Sequence, residues 1–164
     1  MIAILQATSK DIPIIQEIAH QTWPINYGGI LSKAQLDYMM DLMYSNESLL
    51  EQFKIKPLFF LAQEGDLFLG FTSCENNYLN NNVTRIHKIY ILPEAQGKGV
   101  GKLLVDKVIA LAKENQSKVI SLNVNKFNNA VSFYQKLGFE IVGQEDIDIG
   151  NGFLMEDYKM ELKI

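Results

Sequence analysis

A glycine-rich loop at residues 96–102 carries the clearest chemical signal in this chain of 164 residues. The loop follows the apolar segment 89–92, and apolar residues then recur at helical spacing over 100–111, which predicts an amphipathic helix that begins in the loop. Backbone N–H groups in the first turn of a helix have no partner within it, and glycines let an anion approach them. The loop therefore predicts a phosphate cradle, to which Lys98 and Lys102 add positive charge.

Two common phosphate-binding motifs do not fit this loop. A P-loop needs a glycine five residues before its Gly-Lys pair and a serine or threonine after it, but Gly101-Lys102 has Gln96 and Leu103 at those places. A dinucleotide fingerprint fails as well, because Lys102 stands where its third glycine belongs. The pattern that fits is Q-x-x-G-x-G, formed by Gln96, Gly99 and Gly101. The alternative is a loop that only turns a strand into a helix.

A second motif lies at residues 130–139, after the apolar strand-like run 119–124. It reads A-x-x-F-Y-x-K-x-G-F, with its apolar residues at helical intervals. Asn128 or Asn129 is a suitable N-cap, and Gly138 stands where a helix takes a left-handed terminating residue. The segment therefore predicts a short capped helix.

The two motifs, in this order and at this separation, resemble the two hallmarks of the GNAT superfamily of N-acetyltransferases. The resemblance is strong over residues 83–142, moderate towards the C-terminus and weak over the first eighty residues. It implies one α/β domain over residues 1–164, with a mixed, mostly antiparallel seven-stranded sheet and helices on both faces. It also implies acetyl-CoA as co-substrate and no metal.

The resemblance assigns the cofactor contacts. In the family, the strand before the loop splays from its neighbour, and its backbone binds the pantetheine arm. The residues implied for the cofactor are Ile89, Tyr90, Ile91, Gln96, Gly97, Lys98, Gly99, Val100, Gly101, Lys102, Asn123 and Asn128. Many relatives carry an asparagine seven residues before the motif tyrosine, where this chain has Phe127, and nearby asparagines are expected to compensate.

The resemblance also assigns catalytic roles. Tyr134 would be the general acid that protonates the departing thiolate, although an aromatic residue on a helix is often only part of the core. His87, at the place where relatives often carry a glutamate, is the candidate general base, or else a strand histidine with a structural partner. Cys74 has no basic motif beside it, which favours direct attack by the amine over an acyl-enzyme.

The acceptor side is less well defined by the sequence. Trp23 and Tyr27 match a segment that lines the acceptor site in family members, but Trp23 is also suited to anchoring two helices. Between Glu140 and Glu161 the chain has seven acidic residues and one lysine. These acids form either a wall for a cationic amine or a solvated edge that discourages aggregation.

Periodicity predicts the remaining elements. The first helix starts near Thr8 and is expected to be broken by Pro24 and Gly28-Gly29, and further helices begin near Ser32 and Glu47. The predicted strands are residues 2–6, 58–63, 67–74, 83–92, 119–124, 140–149 and 153–162, the last two joined by a turn at 150–152.

Composition limits the possible functions. The length suits one domain, and the net charge of −4 gives no support to nucleic-acid binding. No apolar run has the length of about 20 residues that a membrane helix needs, no secretory signal is recognisable, and one cysteine suits a reducing compartment, so we expect a cytoplasmic protein. Dimers are common in the family, so a homodimer is possible.

Together these features predict transfer of an acetyl group from acetyl-CoA to a primary amine of a small molecule, with a polyamine-like amine as one candidate, by direct attack in a ternary complex. Two alternatives remain. One is acetylation of a protein or peptide N-terminus, and the other is a coenzyme A-binding sensor that performs no transfer.

Overall fold

The protein is described by a computed structural model that covers residues 1–55 and 57–164. Seven strands form one sheet in the order β1-β2-β3-β4-β5-β7-β6, which confirms the predicted mixed sheet. Every neighbouring pair is antiparallel except β4 and β5. The strands are β1 (Ile2–Gln6), β2 (Leu58–Glu64), β3 (Leu67–Glu75), β4 (Val83–Ile91), β5 (Val119–Asn125), β6 (Glu140–Gly150) and β7 (Phe153–Lys163).

Five α-helices of the described residues pack around the sheet. They are α1 (Ile12–Tyr27), α2 (Lys33–Tyr44), α3 (Asn46–Lys54), α4 (Val100–Glu114) and α5 (Ala130–Lys136). Successive strand residues point to opposite faces, so neighbours in β4 show which helix lies on which face. The Tyr90 ring lies 5.6 Å from Trp23 of α1, whereas Ile91 points to α4, where a Cβ on Gly101 would stand 3.5 Å from its Cδ1. The helices therefore lie on both faces, as predicted.

The first helix differs from the prediction at Pro24. The sequence predicted a break at this proline, but α1 continues through it and ends at Tyr27. A proline inside a helix loses one backbone hydrogen bond. Here Trp23 and Tyr27 flank it and are both buried, and the Pro24 carbonyl still accepts from Gly28 N at 2.9 Å. Burial of two large aromatic side chains outweighs the lost hydrogen bond.

The parallel pair β4–β5 separates part-way along its length. The two strands pair only over residues 83–86 and 119–122. Beyond that point β4 stays paired with β3 as far as Ile91, while β5 stays paired with β7 as far as Asn125. The central sheet therefore opens into a cleft between two strand ends.

The local signals at the second motif and at the hairpin are confirmed. The Asn128 side chain accepts from Ala130 N at 2.9 Å at the start of α5, and Gly138 ends that helix with φ of 102°. The β6–β7 turn has positive φ at residues 150–152. Helix α2 docks on this hairpin, because the Tyr38 hydroxyl donates to the Ile149 carbonyl at 3.0 Å. None of the helices in residues 1–55 and 57–164 is long and apolar enough to cross a membrane.

Candidate active site

A cavity of about 890 Å³ lies where β4 and β5 separate. Both sequence motifs line it, and so do parts of α1, α2 and the β6–β7 hairpin. We call the part formed by residues 96–102 and 130–134 the loop side, and the part formed by Tyr27, Asn123 and Asp157 the hairpin side. The fold therefore brings together segments that are far apart in the sequence.

The loop side presents unpaired backbone donors. Gly97 and Gly99 have φ of 82° and 77°, a conformation that glycine adopts without strain, and a Cβ at either would meet no atom within 4 Å. Within the described residues no acceptor is found for a run of backbone N–H groups, those of Gly97, Gly99, Val100, Gly101 and Lys102. A row of free donors at the start of a helix, with open space in front, fits a pyrophosphate group.

Gly101 has a different reason to be glycine. A Cβ at this position would stand 2.8 Å from Cζ of Phe133, so the ring of α5 packs directly on the first turn of α4. The two motifs therefore touch each other at Gly101 and Phe133. The third glycine of the loop serves helix packing, whereas Gly97 and Gly99 serve the backbone conformation.

The polar side chains of the loop lie at the surface. Lys98 pairs with Glu64 at 3.4 Å and Lys102 with Asp106 at 2.8 Å, both in exposed ion pairs that contribute little to stability. The Gln96 amide lies 3.5 Å from the Ile91 carbonyl. Both ammonium groups are thus near the loop but already have carboxylate partners.

Ile89, Tyr90 and Ile91 lie on the open edge of β4. Their backbone pairs with β3 on one side, while on the other side β5 has already turned away. A ligand with amide groups can add to such an edge as a further strand would. The side chain of Tyr90 remains in the aromatic core, 5.8 Å from the Phe71 ring.

Tyr134 lines the cavity on the loop side. Its ring packs against Phe133 and Phe139 at centroid distances of 5.2 and 5.7 Å, and the residue is only 6% exposed. Burial raises the pKa of Tyr134 above its ordinary value of 10.0, so the hydroxyl holds its proton at neutral pH. Among residues 1–55 and 57–164, none is hydrogen-bonded to this hydroxyl. The hydroxyl is therefore available to a ligand.

His87 occupies a bulge in β4, since Ile86 pairs with Cys74 and Lys88 pairs with Ser73. Its Nε2 lies 3.0 Å from Glu75 Oε1. Burial lowers the pKa of His87 below 6.5 and the Lys88 charge acts in the same direction, while the hydrogen bond to Glu75 opposes both. His87 lines the cavity but already has a carboxylate partner on β3.

The remaining predicted residues meet in an aromatic cluster. Trp23 is 2% exposed, donates to the Tyr44 hydroxyl at 3.3 Å and packs 4.6 Å from the Tyr27 ring, so it anchors α1 to α2. The Tyr27 hydroxyl lies 3.2 Å from the Tyr90 hydroxyl and accepts from Asn128 Nδ2 at 3.5 Å. All of them line the cavity, and substrate contact by Trp23 and Tyr27 stays a prediction.

Sequence reasoning missed one residue of the hairpin side, Asp157. This aspartate is 7% exposed, lies opposite Asn125 in β5 and opposite Glu145 in β6, and lines the cavity. Asn123 lines the cavity and donates to Glu145 Oε1 at 2.8 Å, and its predicted contact with the cofactor stays a prediction. The acidic hairpin was noticed in the sequence, but the strand register was needed to separate Asp157 from its solvated neighbours.

Cys74 is buried on β3, where burial raises its thiol pKa to about 12. A thiol in this state is a poor nucleophile, because the thiolate is the reactive form. The geometry therefore agrees with direct transfer without an acyl-enzyme.

Comparison with known proteins identifies the family. The GNAT acetyltransferase domain matches residues 31–162, so the chain belongs to the GNAT family. It is 29% identical to a spermidine N(1)-acetyltransferase of Thermoplasma acidophilum over 161 residues, covering 94% of this chain and 96% of that protein. The crystal structure of the PaiA N-acetyltransferase of the same organism, in complex with coenzyme A, covers 100% of this chain and 99% of that one, with a TM-score of 0.83 at 27% identity.

A second relative matches only in part. An uncharacterized N-acetyltransferase of Methanocaldococcus jannaschii is 34% identical over 87 residues. The match covers 50% of this chain and 38% of that protein.

Proposed function

We propose that the protein transfers an acetyl group from acetyl-CoA to a primary amine of a small molecule in a ternary complex. The observation that carries the proposal is one cavity with three free features: the loop N–H groups, the open edge of β4 and the unpaired hydroxyl of Tyr134. The similarity over nearly the whole chain to a spermidine acetyltransferase favours a polyamine-like acceptor.

The loop and β4 would hold the co-substrate. The N–H groups of residues 97 and 99–102 would bind the pyrophosphate, and the backbone of residues 89–91 would pair with the pantetheine arm. Acetyl-CoA would supply the acetyl group as a thioester, and transfer forms the amide C–N bond while the C–S bond breaks and the sulfur keeps the electron pair.

Tyr134 would move a proton at its Oη. The hydroxyl donates its proton to the departing sulfur and regains one from the amine nitrogen as the amide forms. Burial raises the pKa of Tyr134, and the same environment of low polarity disfavours a bare coenzyme A thiolate. Transfer of the proton from the Tyr134 hydroxyl to the departing sulfur is therefore less unfavourable than the pKa of Tyr134 alone suggests. The ammonium form of the acceptor loses one further proton, which passes through a base to solvent. The sequence proposes His87 for that base.

The test is thiol release from acetyl-CoA with polyamines, aminoglycosides, amino acids and short peptides as acceptors. We expect turnover with a small amine, and Tyr134→Phe should lower kcat by about 100-fold while the coenzyme A Kd stays within about twofold. Tyr158→Phe is the matched control, since its ring packs against the core at the periphery.

Two results would contradict the proposal. Turnover with peptides alone would assign the enzyme to protein acceptors. Tight binding of acetyl-CoA with no turnover on any acceptor, and no effect of Tyr134→Phe, would identify a sensor that binds the cofactor without transfer.

A further inference from the structure

The hairpin side contains a buried carboxylate without a cation. Asp157 Oδ1 has no hydrogen-bond partner in the described residues, although the residue is only 7% exposed. Asn123 Oδ1, two strand positions away on the neighbouring β5, is also buried without a donor. Two unpaired acceptor oxygens on one wall of the cavity require a donor from outside the chain, because a buried polar group without a partner costs free energy.

The side chains around Asp157 also favour an external donor that is positively charged. Glu145 lies directly opposite on β6, and two like charges at facing positions repel each other. The basic side chains of this wall point to other partners: Arg85 contacts Ser121 Oγ at 3.3 Å, and Lys159 lies 3.9 Å from Glu145. The charges of this wall balance as a set, but none of the ion pairs among the described residues includes the carboxylate of Asp157.

We propose that Asp157, assisted by Asn123, binds the ammonium group of the acceptor and accepts the proton that it must lose before attack. The inference rests on the proposed function and deepens it. In this step the N–H bond of the ammonium breaks, the electron pair stays on nitrogen, and the proton moves to a carboxylate oxygen of Asp157 and then to solvent. The neutral amine then attacks. Asn123 is thereby assigned to the acceptor instead of the pantetheine arm.

The electrostatics of Asp157 suit this step. Burial, with a smaller effect of the Glu145 carboxylate, raises the pKa of Asp157 to about 6, while Asn123 and the Arg85 guanidinium oppose the rise. The other titratable group that faces it is the hydroxyl of Tyr27 on α1, which stays neutral. Asp157 is therefore ionised at neutral pH and more basic than an ordinary carboxylate, as a general base needs to be.

The test compares Asp157→Asn with Glu156→Gln, spermidine being the first acceptor. Asn keeps the shape of the side chain but loses its charge and its proton affinity, whereas Glu156 is the adjacent acid and pairs with Lys126 at 3.5 Å. We expect the wild-type kcat/KM for the amine to fall below about pH 6, and we expect Asp157→Asn to lower kcat/KM by at least about 100-fold and to remove this acidic limb. The KM for acetyl-CoA should not change.

A weakly basic analogue of the acceptor provides a second measurement. Because this analogue is already neutral at pH 7, it needs no base, and Asp157→Asn should slow its acetylation much less than that of spermidine. A purely structural role for Asp157 would slow both acceptors equally. Equal loss for both, or an intact acidic limb in Asp157→Asn, overturns the proposal.

Binding of spermidine to the coenzyme A complex, measured by calorimetry, keeps the inference separate from the proposed function. If the wild type binds spermidine but acetylates no amine of the acceptor panel, the proposed function fails, and weaker binding by Asp157→Asn still supports the ammonium site. If spermidine binds to the wild type and to Asp157→Asn equally, or binds to neither, the ammonium site is wrong. If the wild type acetylates spermidine and Asp157→Asn does so equally well, only the inference fails.

Discussion

The two sides of the cavity are built from different parts of the chain. On the loop side the candidate anion-binding groups are backbone N–H groups, and the side-chain group with a proposed role in the transfer is the hydroxyl of Tyr134. On the hairpin side the candidate functional groups are side chains, those of Asn123 on β5, Asp157 on β7 and Tyr27 on α1. A backbone site tolerates many sequences provided that its glycines remain, whereas a side-chain site changes its ligand when one residue changes.

This difference separates what a family shares from what an individual member recognises. If the loop binds the pyrophosphate as proposed, it does so through a backbone conformation that depends on Gly97 and Gly99 and not on the neighbouring side chains. The charge that faces the amine depends on the side chains of Asp157 and Glu145. The strand backbone at these two positions accommodates many different side chains. Specificity for the acceptor is therefore expected on the hairpin side.

The largest effect is expected from Gly99→Glu. The substitution forces a side chain onto a residue with φ of 77° and places a carboxylate among the donors for the pyrophosphate. Coenzyme A affinity, measured by calorimetry, should fall by more than about 100-fold, which corresponds to about 2.7 kcal/mol.

Gly29→Glu is the matched control for that variant. Gly29 also has open space around it but no positive φ, and it lies outside the cavity. The Gly29→Glu variant should bind coenzyme A with the affinity of the wild type. Unchanged affinity in Gly99→Glu would show that the pyrophosphate does not lie on this loop.

The next largest effect is expected from Asp157→Asn, on the free energy of unfolding. The folded protein holds the Asp157 proton more tightly than the unfolded chain does, with a pKa of about 6 instead of 3.8, so ionised Asp157 destabilises the fold as pH rises from about 4 to 6. Asp157→Asn should therefore raise the free energy of unfolding at pH 7 by up to about 3 kcal/mol. Urea unfolding at pH 7 and below pH 4 measures this, and the gain should disappear at the lower pH.

A gain in stability together with a loss of turnover is the signature of a functional carboxylate, because function is then retained at the expense of stability. If Asp157→Asn unfolds more readily than the wild type at pH 7, the aspartate has a structural partner. The hairpin side would then resemble the loop side, with its ligand bound by the backbone.

Most of the fold could be predicted from the sequence, since periodicity, caps and turn glycines act locally. The strand ends, the turn at 150–152 and the terminating role of Gly138 were predicted in this way. The break at Pro24 was predicted wrongly, because burial of the flanking aromatic side chains is a tertiary effect that outweighs the local cost.

In the candidate site, too, the local features could be predicted from the sequence and the contacts between distant residues could not. The glycine loop was recognisable because its residues are consecutive, and the N–H groups follow from the backbone alone. Asp157 and Asn123 are 34 positions apart and meet only through the β5–β7 register, which no sequence pattern states. Gly101 was predicted as part of the cradle, but its contact with Phe133 required coordinates.

A smaller effect is expected from Gly101→Ala. A methyl group at this position would stand 2.8 Å from Phe133 Cζ, so the free energy of unfolding should fall by about 1–3 kcal/mol in urea titrations. Coenzyme A affinity should fall much less than in Gly99→Glu, because no positive φ is involved. Phe133→Leu in the same chain should restore part of the stability. If it does not, the loss comes from the loop and not from the contact between the two motifs.

The smallest effect is expected from His87→Ala. His87 already shares a hydrogen bond with Glu75 at 3.0 Å, and burial lowers its pKa, so its charged form contributes little at neutral pH. If Asp157 is the base, kcat/KM for the amine should stay within about threefold of the wild type and keep its acidic limb. Because His87 and Asp157 both titrate near or below pH 6.5, the wild-type profile alone cannot distinguish them. If His87→Ala loses the acidic limb of the kcat/KM profile and Asp157→Asn keeps it, the general base is His87 in the bulge of β4 and not Asp157 on the hairpin.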